Sequence, residues 1–318
     1  MKRISTCELF PGSFAEGHGP VLVNVDSGIT FNEILPDIVG LVVPLISSNG
    51  AVLIRGMRIN GNKQFSHLLN SIFQRPLLKY TFRSTPRKEL RNNIYTSTEY
   101  HSDKTIPQHN ENSYSNKWPD NLGFYCVKPS EKAGQTPITD SSDIFTSLPS
   151  ELVNEFEHRK LKYVRNYSDI DLPWQDVFGT DSRSCVENYC NSNQIKFEWF
   201  DNNRLRTSQI LPAIQTHPLT GKKVWFNQAH LFHYSSLEDE IAKTLLQDLG
   251  ETWLPRSCYF GDGGTISVEH LNIIRKSYEK LQVQFDWQSK DIMLLDNLRF
   301  SHGRNSYEGT RKVLVGMA

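Results

Sequence analysis

The segment Gln108-His-Asn-Glu-Asn-Ser-Tyr-Ser115 sets a histidine and a carboxylate two residues apart. On an extended chain the side-chain period is two, so His109 and Glu111 point to one face and can bind one metal ion together. The pattern alone is common, and the same chain carries His101-Ser-Asp103 eight residues earlier. A second segment raises its weight. Asp291-Ile-Met-Leu-Leu-Asp-Asn-Leu-Arg-Phe-Ser-His302-Gly-Arg-Asn-Ser-Tyr-Glu-Gly-Thr-Arg311 reads as a buried strand ending in a polar stretch with a histidine. A turn follows, then an arginine entering the last strand. Two histidines and one carboxylate on one face of Fe(II) leave three positions for a chelating co-substrate and O2. An arginine nine residues beyond the histidine can clamp a distant carboxylate through two parallel hydrogen bonds. His230-Leu-Phe-His233 has helical spacing for two more ligands, but no third donor stands near it.

Such donors need elements to position them. Pro20–Val25 and Ala51–Arg55 are short apolar runs, the second bounded by glycines as a buried strand is. Between them Phe31–Ile46 is amphipathic, a helix opened near Asn32 and closed by Pro44. Phe65–Phe73 repeats its apolar residues at helical spacing. From Leu122 the strands shorten: Gly123–Val127, Thr136–Thr139, Lys196–Phe200, Leu205–Ile214 and Lys222–Phe226, the last two joined across the turn Pro218-Leu-Thr-Gly221. Helices are expected over Leu148–Leu161 (capped by Ser147 or Ser150), Leu237–Leu249 and Val268–Leu281. Phe285–Trp287, Asp291–Leu295 and Lys312–Val315 alternate as strands again. Many short strands with interspersed helices predict a mainly β chain with helical insertions on a jelly-roll core. No repeat or composition shift divides residues 1–318, which read as a single domain. The polar, aperiodic stretch Asp169–Ser192 is a candidate lid, within an insertion around residues 165–195.

Composition narrows the function classes. Lys+Arg and Asp+Glu both number 35 in 318 residues, and no basic stripe stands out, which argues against nucleic acid as a partner. There is no apolar leader and no run of about 18 apolar residues, so no membrane span is expected. Five cysteines without a CxxC pair suit reduced thiols in a cytoplasm.

From about Ala51 onward the chain resembles the taurine dioxygenase family of Fe(II)/2-oxoglutarate oxygenases. The resemblance rests on Gln108-His-Asn-Glu, Trp118-Pro, Phe124-Tyr-Cys-Val-Lys-Pro129, Gly134-Gln-Thr-Pro-Ile-Thr-Asp140, His217-Pro-Leu-Thr-Gly221 and Asp296-Asn-Leu-Arg-Phe-Ser-His-Gly-Arg304. It implies a double-stranded β-helix core and an iron triad of His109, Glu111 and His302. His101 and Asp103 lose that role, because only His109 stands at the family's interval from Thr136. The resemblance further implies Arg311 and Thr136 on the C5 carboxylate of 2-oxoglutarate, and Arg304 on its C1 carboxylate, on a substrate acid, or as a hairpin anchor. Ser113, Tyr114 and Asn227 become candidate substrate contacts, Trp118 a pocket wall and Trp287 core. Glu111 stands where aspartate is commoner, although related branches use glutamate as well, and Gly134-Gln135 stands where many relatives have two glycines.

Within the family the chain looks most like the branch of the syringomycin-pathway aspartyl hydroxylase. The implied enzyme is a cytoplasmic dioxygenase that hydroxylates an amino-acid-like substrate, free or tethered to a carrier protein, in antibiotic biosynthesis. Epoxidation, desaturation and a catalytically silent binding protein remain alternatives. Late closure of the lid would protect the oxidant until substrate is bound.

Overall fold

The computed structural model describes residues 3–85, 87–97, 100–168 and 170–318. A seven-stranded sheet is its largest element, in the order β1 (Ile4–Glu8), β2 (Val21–Val25), β3 (Ala51–Arg55), β15 (Ile292–Asp296), β6 (Asn121–Lys128), β18 (Lys312–Met317), β4 (Ile94–Thr96). All its pairs are antiparallel except β2–β3. A three-stranded sheet joins β5 (Ile106–His109), β16 (Phe300–Arg304) and β8 (Ile138–Asp140). Leu53, Phe124, Met293, Leu295 and Val315 of the large sheet form one buried cluster with Ile138 and Phe300 of the small one. Two β-layers sharing a core match the expected jelly roll.

The other face of the large sheet is covered by α1 (Phe31–Asn49) and α2 (Gly61–Phe73). Pro44 does not close α1, as its backbone chemistry predicts; the helix runs through Pro36 and Pro44 to Asn49 and stops at Gly50, which takes a left-handed conformation. An interior proline opposes helix by about 3 kcal/mol. Ile34, Ile38, Val42 and Ile46 form one buried stripe spanning both prolines, and that burial outweighs the lost hydrogen bonds. The helix is also long and apolar enough to cross a membrane by length and composition, but its apolar stripe packs on the sheet.

A further, four-stranded sheet forms from β10 (Lys196–Phe200), β11 (Arg204–Leu211), β9 (Leu161–Tyr167) and β14 (Arg256–Phe260), in that order. It packs with α3 (Ser141–Ser147), α4 (Ser150–Arg159) and α9 (Val268–Leu281). The helix expected over Leu148–Leu161 is shorter: Pro149 is its N-cap, without a side-chain bond, and Lys160 at positive φ ends it, so that Leu161 opens β9. Pro212 breaks the strand expected over Leu205–Ile214, leaving β12 (Ile214–Thr216) to pair with β13 (Lys223–Trp225). Phe285–Trp287 is not a strand, although both aromatic rings enter the core between the sheets. The short strands β7 (Lys132–Ala133) and β17 (Tyr307–Glu308) pair at the rim.

Of the segment read as a lid, Asp169 lies outside the described residues. The remainder holds α5 (Trp174–Phe178) and α6 (Arg183–Ser192), whose Trp174, Val177, Val186 and Cys190 are buried in the second core. Helices α7 (Ala229–Phe232) and α8 (Asp239–Leu249) complete the fold, and all five cysteines are free.

Gly123 of β6 and Gly316 of β18 are paired in register, and Leu69 of α2 inserts over both. A Cβ on Gly123 would lie 2.3 Å from Leu69 Cδ2. Gly123→Ala should therefore lose about 1–3 kcal/mol in urea unfolding, the usual loss from overpacking. In a Leu69→Ala background the same substitution should lose distinctly less; equal losses in both backgrounds would refute the packing account.

Candidate metal centre

Histidines 109 and 302 meet because β16 runs antiparallel to β5 with His302 opposite His109. Their rings lie 4.6 Å apart, centroid to centroid. Gly303 permits the pairing, since a Cβ there would sit 2.7 Å from the Ile106 carbonyl oxygen. Glu111 reaches the same point by a different route from the alternation of a strand. β5 ends at His109, and Glu111 opens a turn in which Asn112 takes positive φ.

The fully buried Asn297 holds that turn in place: Glu111 N donates to its Oδ1 (2.7 Å), and its Nδ2 donates to the carbonyls of Glu111 (3.0 Å) and Pro119 (2.8 Å). Asn110 Nδ2 donates to the Asn297 carbonyl (2.6 Å), and Gln228 Nε2 donates to the Asn110 carbonyl (2.9 Å). One ligand atom from each of His109, Glu111 and His302 lies within 4.8 Å of the others, the one such three-residue group among the described residues.

Their electrostatics suit a divalent cation. Burial lowers the His109 pKa, and burial together with neighbouring His109 holds His302 well below the ordinary value, so both imidazoles are neutral with lone pairs to donate. His109 Nδ1 lies 2.9 Å from the Pro107 carbonyl, which fixes its proton there and leaves Nε2 free. Burial would raise the Glu111 carboxyl, but the charged Arg87 guanidinium outweighs it and keeps the group ionised. Arg87 Nη2 donates to Glu111 Oε2 at 2.7 Å with both side chains buried, and the guanidinium lies 4.7 Å over the Tyr80 ring. Nothing in the local sequence around Arg87 marks it, since its partner stands 24 residues later.

Beside these donors is a narrow cavity of about 40 Å³, lined by Arg87, His109, His302, Thr136, Arg304 and Arg311, with Ile106, Phe124 and Val313 as apolar walls. Arg311 precedes β18 and donates to the Gly134 carbonyl (3.1 Å) and the Thr136 hydroxyl (3.4 Å); Trp287 Nε1 also donates to that hydroxyl (3.0 Å). No carboxylate among the described residues pairs with Arg311, and burial, aided by Arg304, pulls its pKa down to about 10. A half-buried cation without a carboxylate partner, beside three candidate metal donors, fits a chelating co-substrate with a remote carboxylate. The donor set, two imidazoles and one hard oxygen, fits Fe(II).

The other expected residues fall elsewhere or have partners. Arg304 lines the cavity, but its Nη atoms donate to the carbonyls of Tyr100, His101 and Lys104, and its Nε has no hydrogen-bond partner among the described residues. Ser113 donates to the Asn110 carbonyl, and Tyr114 Oη to the Phe82 carbonyl, so both are buried parts of the turn after Glu111. Asn227 does not line the cavity: its Nδ2 donates to Ala213 and its Oδ1 accepts from Ala229 N. His230, pushed down to about 3 by burial, contacts the Gln108 carbonyl, and His233 bonds within its own turn. His101 and Asp103 are exposed.

Comparison with known proteins agrees with this geometry. The model of the Taurine catabolism dioxygenase TauD, TfdA family matches residues 17–318. The dapdiamide synthesis protein DdaC of Enterobacter agglomerans is 41% identical over 274 residues, 86% of this chain and 83% of its own. A clavaminate synthase-like protein of Arabidopsis thaliana is 27% identical over 86% of this chain and 82% of its own. Among solved structures, PvcB of Pseudomonas aeruginosa superposes with TM-score 0.56 at 13% identity, covering 99% of this chain and 91% of that one, a likeness of fold. The chain thus belongs to the TauD/TfdA family and is an Fe(II)- and 2-oxoglutarate-dependent dioxygenase.

Proposed function

We propose that His109, Glu111 and His302 hold the iron, that Arg311 and Thr136 hold the far carboxylate of 2-oxoglutarate, and that the enzyme hydroxylates an amino-acid-derived substrate in natural-product biosynthesis. The convergence of the three donors beside a half-buried arginine without a carboxylate partner among the described residues carries the reading of the site. The 41% identity to a dapdiamide synthesis protein supports the biosynthetic setting and a substrate of amino-acid character, free or carrier-bound.

When bound, iron with 2-oxoglutarate supplies O2 activation coupled to decarboxylation. The chain's own residues supply placement and charge. His109, fixed through the Pro107 carbonyl, presents Nε2. Arg87 orients the Glu111 carboxylate by holding one of its oxygens. Arg311 and Thr136 set the length and direction of the co-substrate site, and the Ile106, Phe124 and Val313 walls keep water from its middle. The 170–192 segment, packed over the loop that carries Phe82 and Arg87, is the candidate closing element.

Replacing His109 or His302 by alanine should abolish both Fe(II) binding and turnover, because two protein donors do not retain the ion. His101→Ala should leave both intact. Iron binding that survives His109→Ala but not His101→Ala would require a different triad. Arg311→Ala should weaken 2-oxoglutarate binding by roughly 2–5 kcal/mol, as expected for one truncated partner of a buried charge pair, with Fe(II) affinity nearly unchanged. An unaltered 2-oxoglutarate affinity would remove Arg311 from the site. Glu111 fills the position a halide would need, so the product in chloride buffer should gain one oxygen, or lose two hydrogens if the outcome is desaturation. A chlorinated main product in the mass spectrum would rule out Glu111 as a ligand.

A further inference from the structure

Three guanidinium groups approach the loop that carries Tyr80 to Arg87. Arg87 pairs with Glu111, and Arg256 pairs with Asp171 while also bonding the Ser84 carbonyl. The third, Arg165 on β9, is 3% exposed, and none of its Nε, Nη1 or Nη2 atoms has a hydrogen-bond partner among the described residues. Its immediate surroundings are aromatic: Cζ lies 5.0 Å from the Tyr167 ring, 5.4 Å from Phe82 and 6.0 Å from Tyr114. Among the described residues the one carboxylate that feels its charge, Asp171, accepts hydrogen bonds from Arg256 instead. The nearby hydroxyls are already engaged, since Tyr114 Oη donates to the Phe82 carbonyl and Tyr167 Oη bonds Thr207 Oγ1. A buried arginine is ordinarily paired, because an uncompensated charge in an apolar setting is strongly disfavoured.

Two further observations point to a ligand. Arg165 is one ring from the metal donors, for Tyr114 follows Glu111 by three residues, and Arg87, the partner of Glu111, lies over Tyr80. Phe82, a ring over Arg165, has φ 54°, a left-handed conformation unfavourable to a bulky side chain. Its ring rests on Phe178 of α5 and Tyr189 of α6. The cover over the guanidinium is thus a strained residue held by the segment that is the candidate closing element.

We propose that Arg165 is the anchor for a carboxylate of the substrate, reached when Phe82 swings aside. This rests on the oxygenase reading above and specifies the substrate class: an acid, bound through a second arginine distinct from the co-substrate arginine Arg311. The anion supplies the missing partner of Arg165 and allows Phe82 to leave its left-handed conformation. Phe82 and Tyr114 then wall the substrate between Arg165 and the metal donors.

Thermal melting of the full chain, loaded with Mn(II) and N-oxalylglycine so that the metal donors and Arg311 are occupied, tests this with acetate as the probe. Against chloride at equal ionic strength, acetate should raise the wild-type melting temperature by about 1–3 °C. Arg165→Met should abolish that rise, and Arg165→Lys should keep part of it. Without acetate, Arg165→Met should melt at or above the wild-type temperature, because an unpaired buried cation has been removed. A fall of several degrees, or failure to fold, would make the guanidinium a structural pillar among the rings and overturn the proposal. So would an acetate rise that survives in Arg165→Met, or no rise in wild type. If Mn(II) and N-oxalylglycine do not stabilise wild type, the co-substrate reading fails instead; wild type against Arg165→Met in acetate alone still decides Arg165.

Discussion

The antiparallel register that sets His302 opposite His109 governs everything else at the site. Side chains on a strand alternate in direction, so a slip of one residue between β5 and β16 would turn one imidazole away from the other. Several features fix that register. β16 is held on both sides, by β5 and by β8. Gly303 lets the Ile106 carbonyl approach closely, and Gln108 Oε1 accepts bonds from both Thr139 (2.8 Å) and Ser301 (3.2 Å), tying the three strands together. Phe300 of β16 is anchored in the core between the two sheets. The seven-stranded sheet and its helices therefore act on the metal centre at one remove, by making that core rigid.

Charge is the second constraint. The centre gathers a carboxylate, two neutral imidazoles and three arginines, Arg87 and Arg304 buried and Arg311 half-buried, in a small volume. Glu111 remains ionised because Arg87 faces it, and the asparagine and glutamine amides behind it satisfy the backbone of its turn. Buried amides without partners would each leave a desolvation penalty of about 1–3 kcal/mol, so Asn110, Asn297 and Gln228 form a mutually dependent network. Arg311 is different, because its charge has no carboxylate among the described residues. A cation left without a carboxylate in the folded chain persists at some expense of stability, which supports the co-substrate role proposed for it.

Much of this was legible in the residues themselves. His109-Asn-Glu111, the distant His302 and the arginine nine residues later define a chemistry by type and spacing, and the alternating short strands define a jelly roll. Local patterns misjudged element ends where packing overrides propensity, as in α1, which passes through two prolines because its buried stripe is continuous. They also treated Asn227 as a ligand contact when its amide braces the backbone near α7. The extended-strand argument set His109 and Glu111 on one face by alternation, whereas the strand ends at His109 and Asn297, 186 residues from Glu111, holds the turn that brings the carboxylate round.

What the sequence by itself determined is the set of candidate donors, because metal ligation demands particular atoms, and those are written in the residue types. What only the tertiary structure decided is which charges are balanced. Arg87 finds Glu111 from 24 residues away, Arg256 finds Asp171 from 85, and Arg165 finds no partner among the described residues. Charge compensation depends on distance in space and on exclusion of water, and neither quantity has a period along the chain.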